Sequence, residues 1–475
     1  MASGLALAVY GLLLVPGVVL IWRRPVRALY AWVVGLAAHN AVMAALYGAG
    51  VRGGALTALQ AWKEILLAVA LACVTFGALR ARRLPFRVHI ADVLAVLFAA
   101  LVCVYAVIPQ DWLGGSADRE AVGLALKHDL IPVGAYFLGR SLIVSAGELV
   151  RLVWTLIGAA VVVAALGLID AFLIPISWWR DSAVVDYFHN HLGYDYQGTG
   201  GLPENFIYNT GSEDHFLRRL VSVFLGPLAS AYMFVVALLL GAASWRKLRL
   251  VAALCALVVA VALLFTFSRS SLLALAAGFV VLAFVARRWW PVAVAAATLG
   301  VSAAWVHVFP HVAPEGKWTK QDIVQQRNIA KEKPGASGSA GSIDEPSIRS
   351  HWVSLREGVR TVVHHPQGYG LGNAGQTASR TETPIKAGES NYTEIGVETG
   401  LLGSLVWTAW GLAVLLALAH TARSTRWWAA TGVAAAFAAS LVLAIQTDVI
   451  GDPWMAYSLW ALAGLTMARN SLRGS

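Results

Sequence analysis

The sequence predicts an all-α fold, a polytopic transmembrane bundle of about 12–14 helices with two long extracytoplasmic loops. Three observations predict it. Hydrophobic residues make up 58% of the 475 and charged residues only 13%, about half the charged fraction that a water-covered surface carries. Runs such as Val153 to Leu173 and Leu250 to Phe267 have no polar face, unlike the amphipathic helices of a soluble core. Arginine, finally, is concentrated in the short segments between such runs.

A helix that crosses a bilayer needs roughly 17–25 apolar residues. Such segments lie near 2–22, 27–48, 60–79, 89–108, 129–147, 151–174, 219–242, 248–267, 270–286, 290–308, 393–419, 427–447 and 453–468. The first reads as a span rather than a cleaved signal, since it lacks a leading positive charge and runs into Trp22-Arg23-Arg24. Basic clusters fall at Arg23, Arg24 and Arg27; at Arg80, Arg82, Arg83 and Arg87; and at Arg246, Lys247 and Arg249. Others follow at Arg287 and Arg288, at Arg423 and Arg426, and at Arg469 and Arg473. Short basic loops mark the cytoplasmic side, which puts the N-terminus outside and the C-terminus inside. The formal charge of +10 is then a topology signal, and nucleic acid is not an expected partner. Cys73, Cys103 and Cys255 all fall in apolar spans, so neither a disulfide framework nor a cysteine metal site is expected.

The chain divides into N-terminal transmembrane helices (1–174), a first long loop (175–217), the transmembrane helices of a catalytic half (218–308), a second long loop (309–390) and C-terminal transmembrane helices (391–475). Trp178, Trp179, Asp181, Asp186, Tyr187, Tyr194, Asp195, Tyr196 and Glu204 make the first loop aromatic and acidic. The second holds a polar stretch from Lys333 to Gly341 and then an amphipathic helix from Ile348 to His364. There Trp352, Leu355, Val359 and Val363 share one face by helical spacing. Both loops fall on the outer side, which marks that side as the working face.

Chemistry is concentrated at the outer ends of the spans. In Thr266-Phe267-Ser268-Arg269-Ser270-Ser271, an arginine at membrane depth points to an anionic partner, beside serines suited to cap a helix whose first N–H groups also favour anions. Arg219 precedes another span, Arg140 lies in an apolar run, and Arg349 opens the amphipathic helix. Four guanidinium groups suit a diphosphate, whose oxygens they bind bidentately. In the segment from Glu389 to Gly403, Glu398 is expected to brace its helix. Glu389, just outside the span, is the candidate general base and takes precedence over Glu394. Gly368-Tyr369-Gly370-Leu371-Gly372 follows no strand and opens no helix, so it fails as a nucleotide loop. His189-Asn190-His191 and His364-His365 read as loop residues.

These segments, in this order, resemble the superfamily of O-antigen ligases and Wzy-type polysaccharide polymerases, bacterial membrane glycosyltransferases. The resemblance rests on Arg219-x-x-Ser222-x-Phe224-x-x-Pro227 with Tyr232, on Ser268-Arg269 with Leu272, Leu273 and Gly278, on Arg349-x-x-Trp352 with His365-Pro366-x-Gly368-x-Gly370-x-Gly372, and on Tyr392 through Gly403. It implies a metal-independent fold of GT-C type and a glycan donor linked to undecaprenyl diphosphate. By the same resemblance Arg219, Arg269, Arg349 and Arg140 hold the diphosphate. Leu228 replaces the family's asparagine, and Glu389 stands where the family has its catalytic histidine.

The expected function is polymerisation of lipid-linked repeat units for an exopolysaccharide or O-antigen, in the bacterial inner membrane with the active site facing the periplasm. The donor is the growing chain and the acceptor a lipid-linked oligosaccharide. Glu389 deprotonates or orients the acceptor hydroxyl, the arginines neutralise the leaving diphosphate, and no metal or cofactor is expected. Tyr392, Trp352 and His365 are expected to contact acceptor or sugars. Membrane lipids and a chain-length regulator are further expected partners. A ligase that passes a finished glycan to lipid A core or protein is the alternative. A lipid-linked glycan transporter or flippase, which would favour repeated half-helices, is the second.

Overall fold

Apolar runs of this length become helices because only a helix, or a closed barrel, satisfies its backbone polar groups without water. The computed structural model describes residues 2–193, 202, 206–208, 215–244, 249–320, 322–324, 327, 346–386 and 390–471. The first group of helices comprises α1 (Ala2–Arg23), α2 (Arg27–Gly48), α3 (Gly53–Gln60), α4 (Trp62–Ala81), α5 (Ile90–Val107), α6 (Arg119–Ser141) and α7 (Ala146–Leu173). The first long loop carries α8 (Ile176–Arg180) and α9 (Val184–Asp186). Next come α10 (Pro227–Ser244), α11 (Arg249–Phe265), α12 (Arg269–Ala286) and α13 (Trp290–Val312). The second long loop holds α14 (Pro346–His364) and α15 (Gly375–Arg380), and α16 (Asn391–Thr425), α17 (Trp428–Leu443) and α18 (Trp460–Ser471) follow.

Among the described residues, ten helices are long and apolar enough to cross a membrane, and Ala253–Phe265, Trp428–Leu443 and Met455–Ala468 are shorter apolar stretches of the same kind. This is an all-α, multi-pass membrane protein. Large apolar side chains such as Leu12, Phe284 and Leu416 point outward from it, a surface that lipid accepts and water does not. The α10 helix is central, with 72% of its apolar window buried, whereas α1 is peripheral at 6%. Helices α6 and α18 cross with their backbones in contact, because a Cβ on Gly139 would strike the Ala461 carbonyl and one on Gly464 that of Tyr136.

The two ends of the bundle differ. At one end Arg140 reaches the Arg87 carbonyl, Tyr30 bonds Glu148, and Arg423 bonds the Phe284 carbonyl. That end gathers Arg23, Arg24, Arg82, Arg287 and Arg426 in its turns. At the other, the loop end, Asn40 bonds the Phe224 carbonyl, Gln60 bonds Tyr187, and the Ser116 N–H donates to Asn373.

Four features depart from expectation. The weak fifth span starts at Arg119 rather than 129, capped by Asp118, whose carboxylate accepts the Ala121 N–H at 2.8 Å. Lys127, His128 and Asp129 depress the hydropathy of its first half. The span expected from 219 starts at Pro227, because residues 215–218 form a strand and Ser222–Phe224 a single 3-10 turn before it. The two long loops meet in a small antiparallel sheet, β1 (Ile207–Tyr208), β2 (His215–Arg218) and β3 (Glu315–Lys317), with Ile207 opposite Arg218 and Phe216 opposite Gly316. Finally, α14 packs through Gly358 and Val362, which meet Thr393 and Gly396 of α16. Trp352, Val359 and Val363 are 68%, 51% and 60% exposed. Arg246, Lys247, Tyr194, Asp195, Tyr196, Glu204, Arg473 and the stretch from Lys333 to Gly341 lie outside the described residues.

Candidate active site

Strand β2 sends successive side chains to opposite sides, and this separates two adjacent arginines. Arg218 turns inward, where its fork bonds the Ile174 carbonyl and donates to Asp170 Oδ1 at 2.7 Å. Arg219 turns the other way. Its backbone N–H bonds the Phe206 carbonyl, and its Nε donates to the Thr266 carbonyl at 2.9 Å. The terminal nitrogens of Arg219 have no hydrogen-bond partner among the described residues. Thr266 follows α11, and Phe267 reverses the chain with φ of +50°, an unusual conformation for a bulky residue. Stacking on Phe309 at 4.0 Å holds it there. The reversal puts Arg269 at the start of α12, beside Arg219. Burial, and then the Arg269 charge, draw the Arg219 guanidinium down to about 10. Ser268 does not cap α12 through its side chain as expected. Its hydroxyl instead lies 2.7 Å from that of Ser271.

A second group of polar residues is brought together by a break in α16. Gly400 has φ of +74° and ψ of 178°, which interrupts the helix and which a residue with a Cβ adopts only under strain. The segment from Pro366 to Gly372 fills the break. The Tyr369 N–H donates to the Val397 carbonyl at 2.6 Å and the Gly370 N–H to that of Glu398 at 3.0 Å, while the Leu401 N–H donates to Pro366 at 2.8 Å. The N-terminal half of α16 thereby presents Glu394 and Glu398, both 2% exposed, toward α6. Glu398 Oε1 accepts the Gly372 N–H at 2.8 Å.

Facing them, His128 Nδ1 lies 2.9 Å from Asp129 Oδ1, and its Nε2 lies 3.1 and 3.0 Å from the two oxygens of Asp448. Asp448 sits in the turn after α17, where its Oδ1 also accepts from Asn391 Nδ2 at 2.6 Å and the Gly451 N–H at 2.8 Å. His128, Glu394 and Asp448 each offer a ligand atom within 4.8 Å of the others. The two groups of residues adjoin. Tyr232, which acts on the Arg219 charge, hydrogen-bonds Thr447 at 3.1 Å, one residue before Asp448.

Residues 254–408, from α11 to the middle of α16, match the family model described as O-antigen ligase. Over that segment the chain is similar to O-antigen ligases. No curated protein matches it. The matched segment includes Arg269, Arg349, Glu394, Glu398 and the break at Gly400. Arg219, His128 and Asp448 are added to it from outside the matched segment.

The other expected site residues are placed as follows. Arg140 is a correction. It lies in the last turn of α6, at the basic end, where its Nε and Nη2 bond Asp92 at 2.8 and 2.9 Å. That buried pair uses its charge, and most of the length of α6 separates it from the loop end. Arg349 is exposed in the first turn of α14, and no described contact joins it to Arg219 or Arg269. Tyr392 donates to the Leu441 carbonyl at 3.0 Å and braces α16 on α17. His365 stacks on Tyr369 at 3.9 Å, with Nε2 2.8 Å from the Leu113 carbonyl. Glu389 lies outside the described residues. Sequence reasoning missed His128, Asp129, Asn391 and Asp448. The signal available was Lys127-His128-Asp129 at the start of the weak fifth span, since ionisable residues at membrane depth usually have a function.

Proposed function

We propose that this chain is a membrane polysaccharide polymerase, a glycosyltransferase that elongates a glycan carried on a lipid diphosphate. The observation that carries this is the pairing of Arg219 with Arg269. The Arg219 fork is anchored through Nε alone, and the second guanidinium beside it gives the pair the donors and charge that suit an anion with several oxygens. A lipid diphosphate has that chemistry, and the N-terminus of α12 adds its own N–H groups. As the glycosidic bond breaks, charge builds on the leaving diphosphate, where preorganised guanidinium groups stabilise it. The transfer then needs no metal at the diphosphate. Glu389, on the chain just before α16, is proposed to orient or deprotonate the acceptor sugar hydroxyl. The basic turns belong to the cytoplasmic side and the loop end to the periplasmic side of the bacterial inner membrane.

In cells whose own gene is replaced, Arg219→Ala and Arg269→Ala should each shorten the polymer to one or a few repeats while membrane insertion persists. Removing one such donor typically lowers a rate by roughly 10²–10³-fold. Long polymer from well-inserted variants would refute the assignment. Ligation is the second reading, favoured by the description of the matched family. Transport is disfavoured by the break at Gly400, because amides of the 366–372 segment already take up its freed carbonyls.

A further inference from the structure

The cluster around His128 has more carboxylates than its one imidazole can offset. Asp129, Glu394, Glu398 and Asp448 are all more than nine-tenths buried, and like charges so close cannot all remain ionised without a counter-charge. Two of their oxygens, Glu394 Oε2 and Asp129 Oδ2, are buried with no hydrogen-bond partner. The histidine is also oriented. With its proton on Nδ1, donated to Asp129 at 2.9 Å, the Nε2 lone pair points at Asp448 oxygens 3.0 and 3.1 Å away. Two lone pairs cannot face each other at that distance unless something positive lies between them. A carboxylate on the far nitrogen of a histidine is the usual outer partner of a metal ligand.

We propose that His128 Nε2, Glu394 and Asp448 bind a divalent first-row metal ion, with Asp129 fixing the histidine tautomer. One imidazole and two carboxylates suit Mn²⁺ or Zn²⁺. The ion ties together α6, the N-terminal half of the broken α16 and the turn after α17. Its role is to position the loop end. It does not contact the diphosphate, and the inference stands independently of the glycan reading.

The test uses the full chain in detergent, stripped with a chelator and titrated calorimetrically with Mn²⁺ alone and Zn²⁺ alone. About one ion per chain should bind and raise the melting temperature. Glu394→Gln and Asp448→Asn should abolish saturable binding. Asp129→Asn, which leaves all three ligands in place, should weaken it roughly 10–100-fold, and it guards against a ligand variant that fails to fold. Mn²⁺ bound to wild type should show nitrogen hyperfine coupling from one histidine, lost in His128→Gln. Absence of saturable binding of either ion to folded wild type would overturn the proposal. So would unchanged affinity in folded Asp129→Asn and Glu394→Gln, which would leave a shared proton as the positive species.

Discussion

Arg140 and Arg219 look alike in the sequence, each a cation beside an apolar run, and their partners make them opposites. Arg140 is neutralised by Asp92 inside the bundle, whereas Arg219 is anchored by one backbone carbonyl. Arg140→Ala should therefore destabilise the fold by about 3–5 kcal/mol, the usual effect of stranding one member of a buried pair. Arg140→Met combined with Asp92→Leu should recover most of that. Thermal melts in detergent measure both, and glycan transfer per folded molecule should stay near wild type. A selective loss of transfer in a stable double variant would return Arg140 to the site. No local pattern separates the two arginines, because Asp92 is far from Arg140 in sequence and meets it only when α5 packs on α6. The same holds for His128 and Asp448, which become neighbours through the packing of α6 against the turn after α17.

At the scale of elements, the kink in α16 organises the loop end. Gly400→Ala forces a Cβ against the Pro366 carbonyl and into a left-handed conformation, so it should cost at least about 1–2 kcal/mol and loosen the 366–372 segment. Hydrogen exchange at Tyr369 and Gly370 should accelerate, and unchanged protection there would contradict the account of the break. The turn after α17 makes a pH prediction. Burial lifts the Asp452 carboxyl to about 7 against the pull of the Met455 and Trp454 N–H groups, whereas an unfolded aspartate titrates near about 3.9. The folded chain thus keeps this proton to higher pH than the unfolded chain. Its contribution to stability is full below about pH 4 and is lost as pH rises through about 7. Asp452→Asn should flatten that part of the melting-temperature profile, and an equal fall in the variant would contradict the assignment. Elements of this kind differ in how far sequence reveals them. The long spans were legible because hydropathy alone sets them. The small sheet was not, since strands of two to four residues carry too little alternation to register.

At the scale of the molecule, the gathering of arginines at one end of the bundle was the most legible property, because arginines avoid one side of a bilayer whatever they touch locally. Cysteines introduced for Asp111 and Trp112 should react with an impermeant reagent added outside intact spheroplasts, and one introduced for Arg83 should not. The reverse pattern would invert the orientation. The candidate site was only half legible. Arg219 and Arg269 stood out as cations near membrane depth, but the packing that joins them to His128, Glu394 and Asp448 lies in the tertiary fold. The central claim is that this bundle extends a glycan on a lipid diphosphate gripped by Arg219 and Arg269. The most direct test reconstitutes the purified chain in liposomes with one lipid-linked repeat unit and no other acceptor, and follows glycan length on gels. The account predicts a ladder of products still carried on lipid diphosphate, abolished in Arg219→Ala and Arg269→Ala. Substrate that never lengthens, or a ladder undiminished in those variants, would contradict it.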